Sequence, residues 1–307
     1  NGGSEKVAYF VQFNGQYQDG IYVKSATNYQ QYNVRSNIDI KVTNNFTLGV
    51  DLNVRQQHKN YSAYPSNSTG IFYMATRLKP TGGAYYPNGL IRGGSNPAVL
   101  VQDLTGYDKT ILNTINATLN ADIDLKKVTP GLKINGKFAY DVQNNFNKKW
   151  QKNWTYYTYN EITELYTPEE MNSVASPTLK ESQNGTRQWT VNANINYDRD
   201  FNGHHVTALL GYEQHAYRRD YFSAGINSFA SDILDEFFAG SADKSWYSIN
   251  GNAKETARLS FFGRLGYDYK SKYLFQFIAR YDGSENFAKG HRWGFFPGAS
   301  AGWRISE

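Results

Sequence analysis

The chain has 307 residues with a net charge of +5; 16% of them are aromatic, 19% are charged and none is cysteine. So many aromatics, with Tyr outnumbering Leu, exclude a disordered chain and a helical bundle. The absence of cysteine excludes disulfides, thiolate metal sites and Cys nucleophiles, and the modest, scattered positive charge gives no support to nucleic-acid binding.

Strands dominate, and the first spans residues 7–17. In 32–42 the even positions Tyr32, Val34, Ile38, Ile40 and Val42 are apolar, whereas Asn33, Arg35, Asn37, Asp39 and Lys41 are polar. An Asn44-Asn45 turn leads to Phe46, Leu48, Val50, Leu52 and Val54 on one face, so the pair reads as a hairpin. The alternation returns at 111–125, 132–142, 189–198, 206–217, 257–269, 273–282 and 293–305, which completes ten strands. No apolar run is long enough for a membrane-spanning helix, but a spanning β-barrel leaves no such run.

The connections alternate in length. Short turns fall at 43–45, 127–131, 200–203 and 270–272, and longer segments at 18–28, 59–110, 147–187 and 218–256, with a briefer one at 283–292. Short turns on one rim and long loops on the other form the pattern of a bacterial outer-membrane barrel. The polar strand faces then suit a lumen, and the aromatics Tyr29, Tyr32, Tyr156, Tyr157, Trp189, Tyr212, Tyr217, Tyr267, Tyr269, Tyr273 and Trp303 are candidates for interfacial girdles.

Candidate chemistry is sparse. His204 and His205 are neighbours on a strand and point to opposite faces, so they do not chelate one ion together; they read as turn histidines. Gly82-Gly83-Ala84-Tyr85-Tyr86-Pro87-Asn88-Gly89 and Arg92-Gly93-Gly94-Ser95 read as tight turns in a loop, not a phosphate cradle. Tyr64, Tyr73, Tyr85 and Tyr86 in that loop are candidates for stacking on a sugar ring or other ligand. Thr167-Pro168-Glu169-Glu170-Met171 carries the signature of a helix start, which accounts for its paired glutamates without a glycosidase. Asp232, Asp235 and Glu236 read as a short loop helix or a solvated acidic cluster, with calcium as an alternative that lacks EF-hand spacing. No catalytic residue, metal site or cofactor is expected.

The last stretch is the most distinctive. Arg280-Tyr281-Asp282-Gly283-Ser284, Arg292-Trp293-Gly294-Phe295-Phe296-Pro297 and Gly302-Trp303-Arg304 read as a strand, a tight turn at Asp282-Gly283-Ser284 and a returning strand. They resemble the SusC/RagA family of TonB-dependent outer-membrane transporters, as do Tyr32-Asn33-Val34-Arg35-Ser36-Asn37-Ile38-Asp39 and Ser95-Asn96-Pro97. The resemblance implies an all-β antiparallel transmembrane barrel of 22 strands closed by a plug. It implies residence in the bacterial outer membrane among its lipids, and import of oligosaccharides or peptides. It also implies three partners: a SusD-like surface lipoprotein, the TonB complex and a second transporter–lipoprotein pair. Residues 1–307 would be an internal barrel segment, with the plug, the TonB-contacting part and the closing strands outside this sequence. Two alternatives remain open at this stage: a complete ten-stranded outer-membrane protease or lipase, and a soluble β-rich glycan-binding module.

Overall fold

The computed structural model describes residues 1–22, 27–64, 70–78, 82–170 and 176–306. One antiparallel sheet of 11 strands contains nearly all of the regular structure. Its strands, in spatial and chain order, are β1 (Gly2–Gly3), β2 (Val7–Asp19), β3 (Asn28–Thr43), β4 (Phe46–Ser62), β5 (Gly106–Asp124) and β6 (Leu132–Gln151), followed by β9 (Thr178–Phe201), β10 (His204–Ile226), β11 (Tyr247–Tyr269), β12 (Tyr273–Ser284) and β13 (Trp293–Trp303). Between β6 and β9 the hairpin β7 (Thr155–Asn160) and β8 (Leu165–Glu170) stands apart as a second, two-stranded sheet. Two short helices, α1 (Ile71–Arg77) and α2 (Pro97–Leu100), lie in the connection from β4 to β5.

All ten strands read from the alternation are present; most are longer than the sequence suggests, whereas the last ends at Trp303, short of residue 305. β9 and β10 run for 24 and 23 residues, well into segments read as loops. The long connections shrink to 63–105, 152–177 and 227–246. The reason is that apolar alternation marks a strand only where its two faces meet different solvents, and it fades where both are polar. At the opposite rim the turns are tight. Gly131 closes one of them with φ +87, and a Cβ there would lie 2.0 Å from the Asp198 carbonyl oxygen, so only glycine lets the turn lean on β9.

Three local expectations are corrected. Thr167-Pro168-Glu169-Glu170 is strand β8 rather than a helix start, because Tyr157 pairs with Pro168 and Tyr156 with Glu169 across the hairpin; Met171 lies outside the described residues. Residues 231–236 form no helix, and two single turns, Phe237–Ala239 and Lys244–Trp246, follow them. Asp282, Gly283 and Ser284 continue β12, so the turn runs instead over 285–292.

The sheet has no core of its own. Its apolar side chains stay exposed, for example Leu52 at 39%, Leu119 at 44%, Ile195 at 45% and Leu210 at 65%. A soluble sandwich would pack such a face on a second sheet, which is not what the described residues do. The buried residues cluster instead at the long-loop end. Ile71, Val99, Leu100, Val101 and Trp154 form one cluster; Trp150, Leu179, Ile226 and Phe229 form the other. The Ser62 hydroxyl ties the first to the wall by donating to the Leu100 carbonyl.

Candidate functional site

Register divides the wall into two faces. Val34, Val54, Ile115 and Val142 lie in one row across β3 to β6, and Leu210, Gly263, Ala279 and Pro297 in another across β10 to β13. This apolar outer face ends toward the long loops at Arg187, Arg218, Asp220 and Glu255, where Arg187 approaches Asp220 at 3.2 Å and Arg218 approaches it at 2.8 Å and also pairs with Glu255. Residues 206–216 of β10 cover it, a rise of about 25 Å for a strand at barrel tilt. At the tight-turn rim Tyr273 stacks on Trp303 with centroids 6.3 Å apart, and His204 bonds the Tyr267 hydroxyl at 2.8 Å.

Tyr32, Trp189, Tyr212, Tyr267, Tyr269, Tyr273 and Trp303 share the outer face, as a girdle requires. Tyr29 and Tyr217 are on the other face. Tyr156 and Tyr157 are not in the wall at all, but in the hairpin, where Tyr156 packs against the first buried cluster.

The inner face is polar and cross-linked. Asn53 donates to Asn116 at 3.2 Å, Asn116 to Asp141 at 2.7 Å, and Gln188 to the other oxygen of Asp141 at 3.0 Å, a belt crossing β4, β5, β6 and β9. Asp51 accepts from Asn120 at 3.0 Å and also from Asn37. His205 sits between Asp198 at 2.8 Å and Asp268 at 2.9 Å, so it is anchored on this face while His204 is on the other. Such networks satisfy buried polar groups while leaving a hydrophilic surface.

The C-terminal motif alternates in the same way. Arg280 is directed inward, held by Asp282 at 3.1 and 3.3 Å and lying 5.1 Å over the Phe262 ring. Tyr281 is directed outward and stacks on Trp293 at 4.7 Å. Gly283 accommodates that ring, since a Cβ there would be 3.0 Å from it. Gly294 likewise leaves room for Phe296. Ser284 and Arg292 close the strand ends through a backbone bond of 2.9 Å, and Arg304 donates its backbone N–H to Lys272 at 2.9 Å. A hollow of about 650 Å³ opens beside them, lined by Glu213, Arg258, Arg280, Asp282, Arg292 and Phe296. Phe295, Pro297, Gly302 and Trp303 extend the returning strand.

The four loop tyrosines do not converge on one site. Tyr64 packs against the first buried cluster, and Tyr73 carries Arg77 at 4.4 Å over its ring. The Tyr85 hydroxyl accepts from Gln102 at 3.0 Å, its residue staying 42% exposed. Tyr86 meets Tyr166 edge-on at 5.0 Å and Tyr159 at 6.4 Å, a group of three aromatics that joins the glycine-rich bend to the hairpin. Tyr159 and Tyr166 carried no signal in the sequence, because the pairing of β7 with β8 is what brings them to Tyr86.

The acidic segment has a structural task. Lys148 lies 3.5 Å from Glu181, 3.6 Å from Asp235 and 3.1 Å from Glu236, Tyr107 donates to Asp235, and Lys152 approaches Asp232 at 3.8 Å. Burial alone would raise the Asp235 carboxyl, but the Tyr107 hydroxyl and the Lys148 ammonium hold it below the usual carboxylate range. Lysines thus occupy the carboxylates that calcium would need, and they pin residues 227–246 against the outer wall beyond the apolar band. In the hairpin, the Thr158 and Tyr156 hydroxyls, both at 2.6 Å, lower the Glu169 carboxyl, so it is an ionised acceptor and not a proton donor.

No family model matches the chain. The TonB-dependent receptor P3 of Formosa agariphila is 25% identical over 327 residues, covering 100% of this chain and 30% of that protein. The TonB-dependent receptor SusC of Bacteroides thetaiotaomicron is 30% identical over 118 residues, 38% of this chain and 11% of its own length. Along its whole length the chain is similar to TonB-dependent receptors, SusC among them over 118 residues. The fold agrees: the structure of the RagAB peptide transporter superposes with a TM-score of 0.76 at 20% identity, over 98% of this chain and 32% of that one. The chain spans about 30% of the length of the curated relatives it matches end to end. Its relatives are receptors and transporters, not enzymes, which removes the protease or lipase alternative.

Proposed function

We propose that this receptor segment is part of the wall of an outer-membrane importer for oligosaccharides or peptides, driven through TonB and served by a SusD-like lipoprotein lid. The carrying observation is the division of one sheet into an apolar face without a core and a polar, hydrogen-bonded face. The first suits lipid and the second suits a solute path past a plug. The long-loop end is then extracellular and the tight turns periplasmic. Tyr85, with the Tyr86, Tyr159 and Tyr166 group, is the aromatic surface offered to solute, whereas Tyr64 is a packing residue. The motif hollow beside Arg280 and Asp282 is read as structural wall. Pairing of two transporter–lipoprotein complexes is part of the same reading.

The test is outer-membrane fractionation of the natural protein, its denatured mass, and uptake of labelled oligosaccharides and peptides with and without TonB. A mass far above 34.9 kDa and TonB-dependent uptake are the expected results. A detergent-free soluble protein of about this mass would overturn the reading.

A further inference from the structure

Charge on the inner face is not spread evenly. From the belt of Asn53, Asn116, Asp141 and Gln188 down to the tight turns, cations and carboxylates are interleaved, as in Arg280 with Asp282. Toward the long loops the inner positions carry Arg55, Lys59, Lys149, Lys180, Arg219 and Lys254, with Asp108 as the one carboxylate in the same rows of β3 to β6 and β9 to β11. None of these six cations lies within 4.0 Å of a carboxylate among the described residues.

The register makes this sharper. On the outer face like charges also stand opposite one another, but Arg187 and Arg218 share Asp220, and Lys148, opposite Lys109, has Glu181 on its other side with Asp235 and Glu236 beside it. One residue further along, on the inner face of the same strand pairs, Lys149 stands between Lys180 and Asp108, and Arg219 faces Lys254. Like charges placed directly opposite destabilise a sheet. The outer like-charge pairs thus have carboxylates within 4.0 Å, whereas among the described residues Arg219 and Lys254 have none and Lys149 and Lys180 have only Asp108, which lies beyond that distance, so the inner cations are arranged for a counter-charge that arrives from the lumen. Around the cations stand buried polar atoms that lack a partner among the described residues, Arg55 Nε, Thr114 Oγ1, Asn33 Oδ1 and Asn145 Oδ1. The first three residues sit opposite one another in a single row. Arg219 is held by Asn184 at 2.7 Å beside the Tyr221 ring. Amide and hydroxyl side chains in the same rows as cations that lack a carboxylate within 4.0 Å match a molecule that bears both hydroxyl and anionic groups.

Resting on the importer reading, we infer that the extracellular half of this wall binds an acidic oligosaccharide, its carboxylate or sulfate groups lying between Lys149 and Lys180 and between Arg219 and Lys254. The path then begins in a cationic vestibule that concentrates anions, an attraction that salt screens.

The experiment uses the full-length receptor purified with its lipoprotein partner. Calorimetric titration compares galacturonate, mannuronate and sulfated galactan oligosaccharides with their neutral counterparts and with hexaglutamate. An acidic member should bind best and weaken with salt, and Lys149→Gln with Lys254→Gln should raise its Kd by about a hundredfold, about tenfold for each charge-assisted hydrogen bond lost. Lys254→Glu should lower acidic binding further while leaving the thermal midpoint unchanged or higher, because it relieves the opposition to Arg219. Equal binding of neutral counterparts, tighter binding of hexaglutamate, or an unchanged Kd in the double variant would overturn the inference and leave the importer reading standing. Absence of binding and uptake for every solute would sink both.

Discussion

The assignment of faces predicts opposite outcomes for one substitution at adjacent positions. Leu119 is 44% exposed on the outer face, opposite Val50 and Phe138, and Thr118 beside it faces inward opposite Asp51 and Ala139. Leu119 sits midway between Ile115 and Ile123, roughly 10 Å from either end of that apolar run along the membrane normal. A lysine there replaces a lipid contact with an ammonium near the bilayer centre, at about 2–4 kcal/mol. Thr118→Lys instead brings the ammonium to the Asp51 side of the wall, for a change within about 0.5 kcal/mol. Urea titration of the full-length protein refolded into bilayers measures both. Equal tolerance of the two lysines, or greater damage from Thr118→Lys, would refute the division of the wall into a lipid face and a water face.

Three further outcomes follow from the long-loop end. Lys148→Met keeps the stem of a side chain that is 16% exposed but removes the charge shared by Glu181, Asp235 and Glu236; amide exchange over 227–246 should quicken by an amount equivalent to about 1–2 kcal/mol, with no change over 206–216. Because Asp235 is held below its unfolded value, its contribution is fully present at neutral pH and is lost as pH falls below about 4, so the same segment should loosen first on acidification. Leu179→Ala empties a site that is 0% exposed beside Trp150, Ile226 and Phe229 and should cost about 2–4 kcal/mol by denaturant titration; a cost under about 1 kcal/mol would mean that this cluster does not hold the loop.

Much of this was legible in the sequence because one wall meets two solvents. The alternation of Tyr32, Val34, Ile38 and Ile40 with Asn33, Arg35, Asn37 and Asp39 records that difference residue by residue, and all ten strands could be placed from it. Where both faces are wet the record stops, so the far halves of β9 and β10 read as loop. The Thr167-Pro168 signature misled because a local cap competes with a partner strand, and Tyr156 and Thr158 supply that partner through Glu169. The Lys148 clamp joins residues 88 positions apart in sequence, and no local pattern marks it. The opposition of Arg219 to Lys254 likewise becomes visible only when the register is known.

A wall with two faces has a parity. Deleting one residue within β9 would send Val191, Ala193 and Ile195 to the water on one side of the cut and bring Thr190, Asn192 and Asn194 to the lipid, reversing every row shared with β6 and β10. Deleting two would shorten the strand and keep each residue on its own side. Unless a bulge such as the one between Lys41 and Thr43 absorbs the extra residue, a change of length inside a strand keeps the faces only in even steps, and the connections at 63–105, 152–177 and 227–246 are where odd ones cost least.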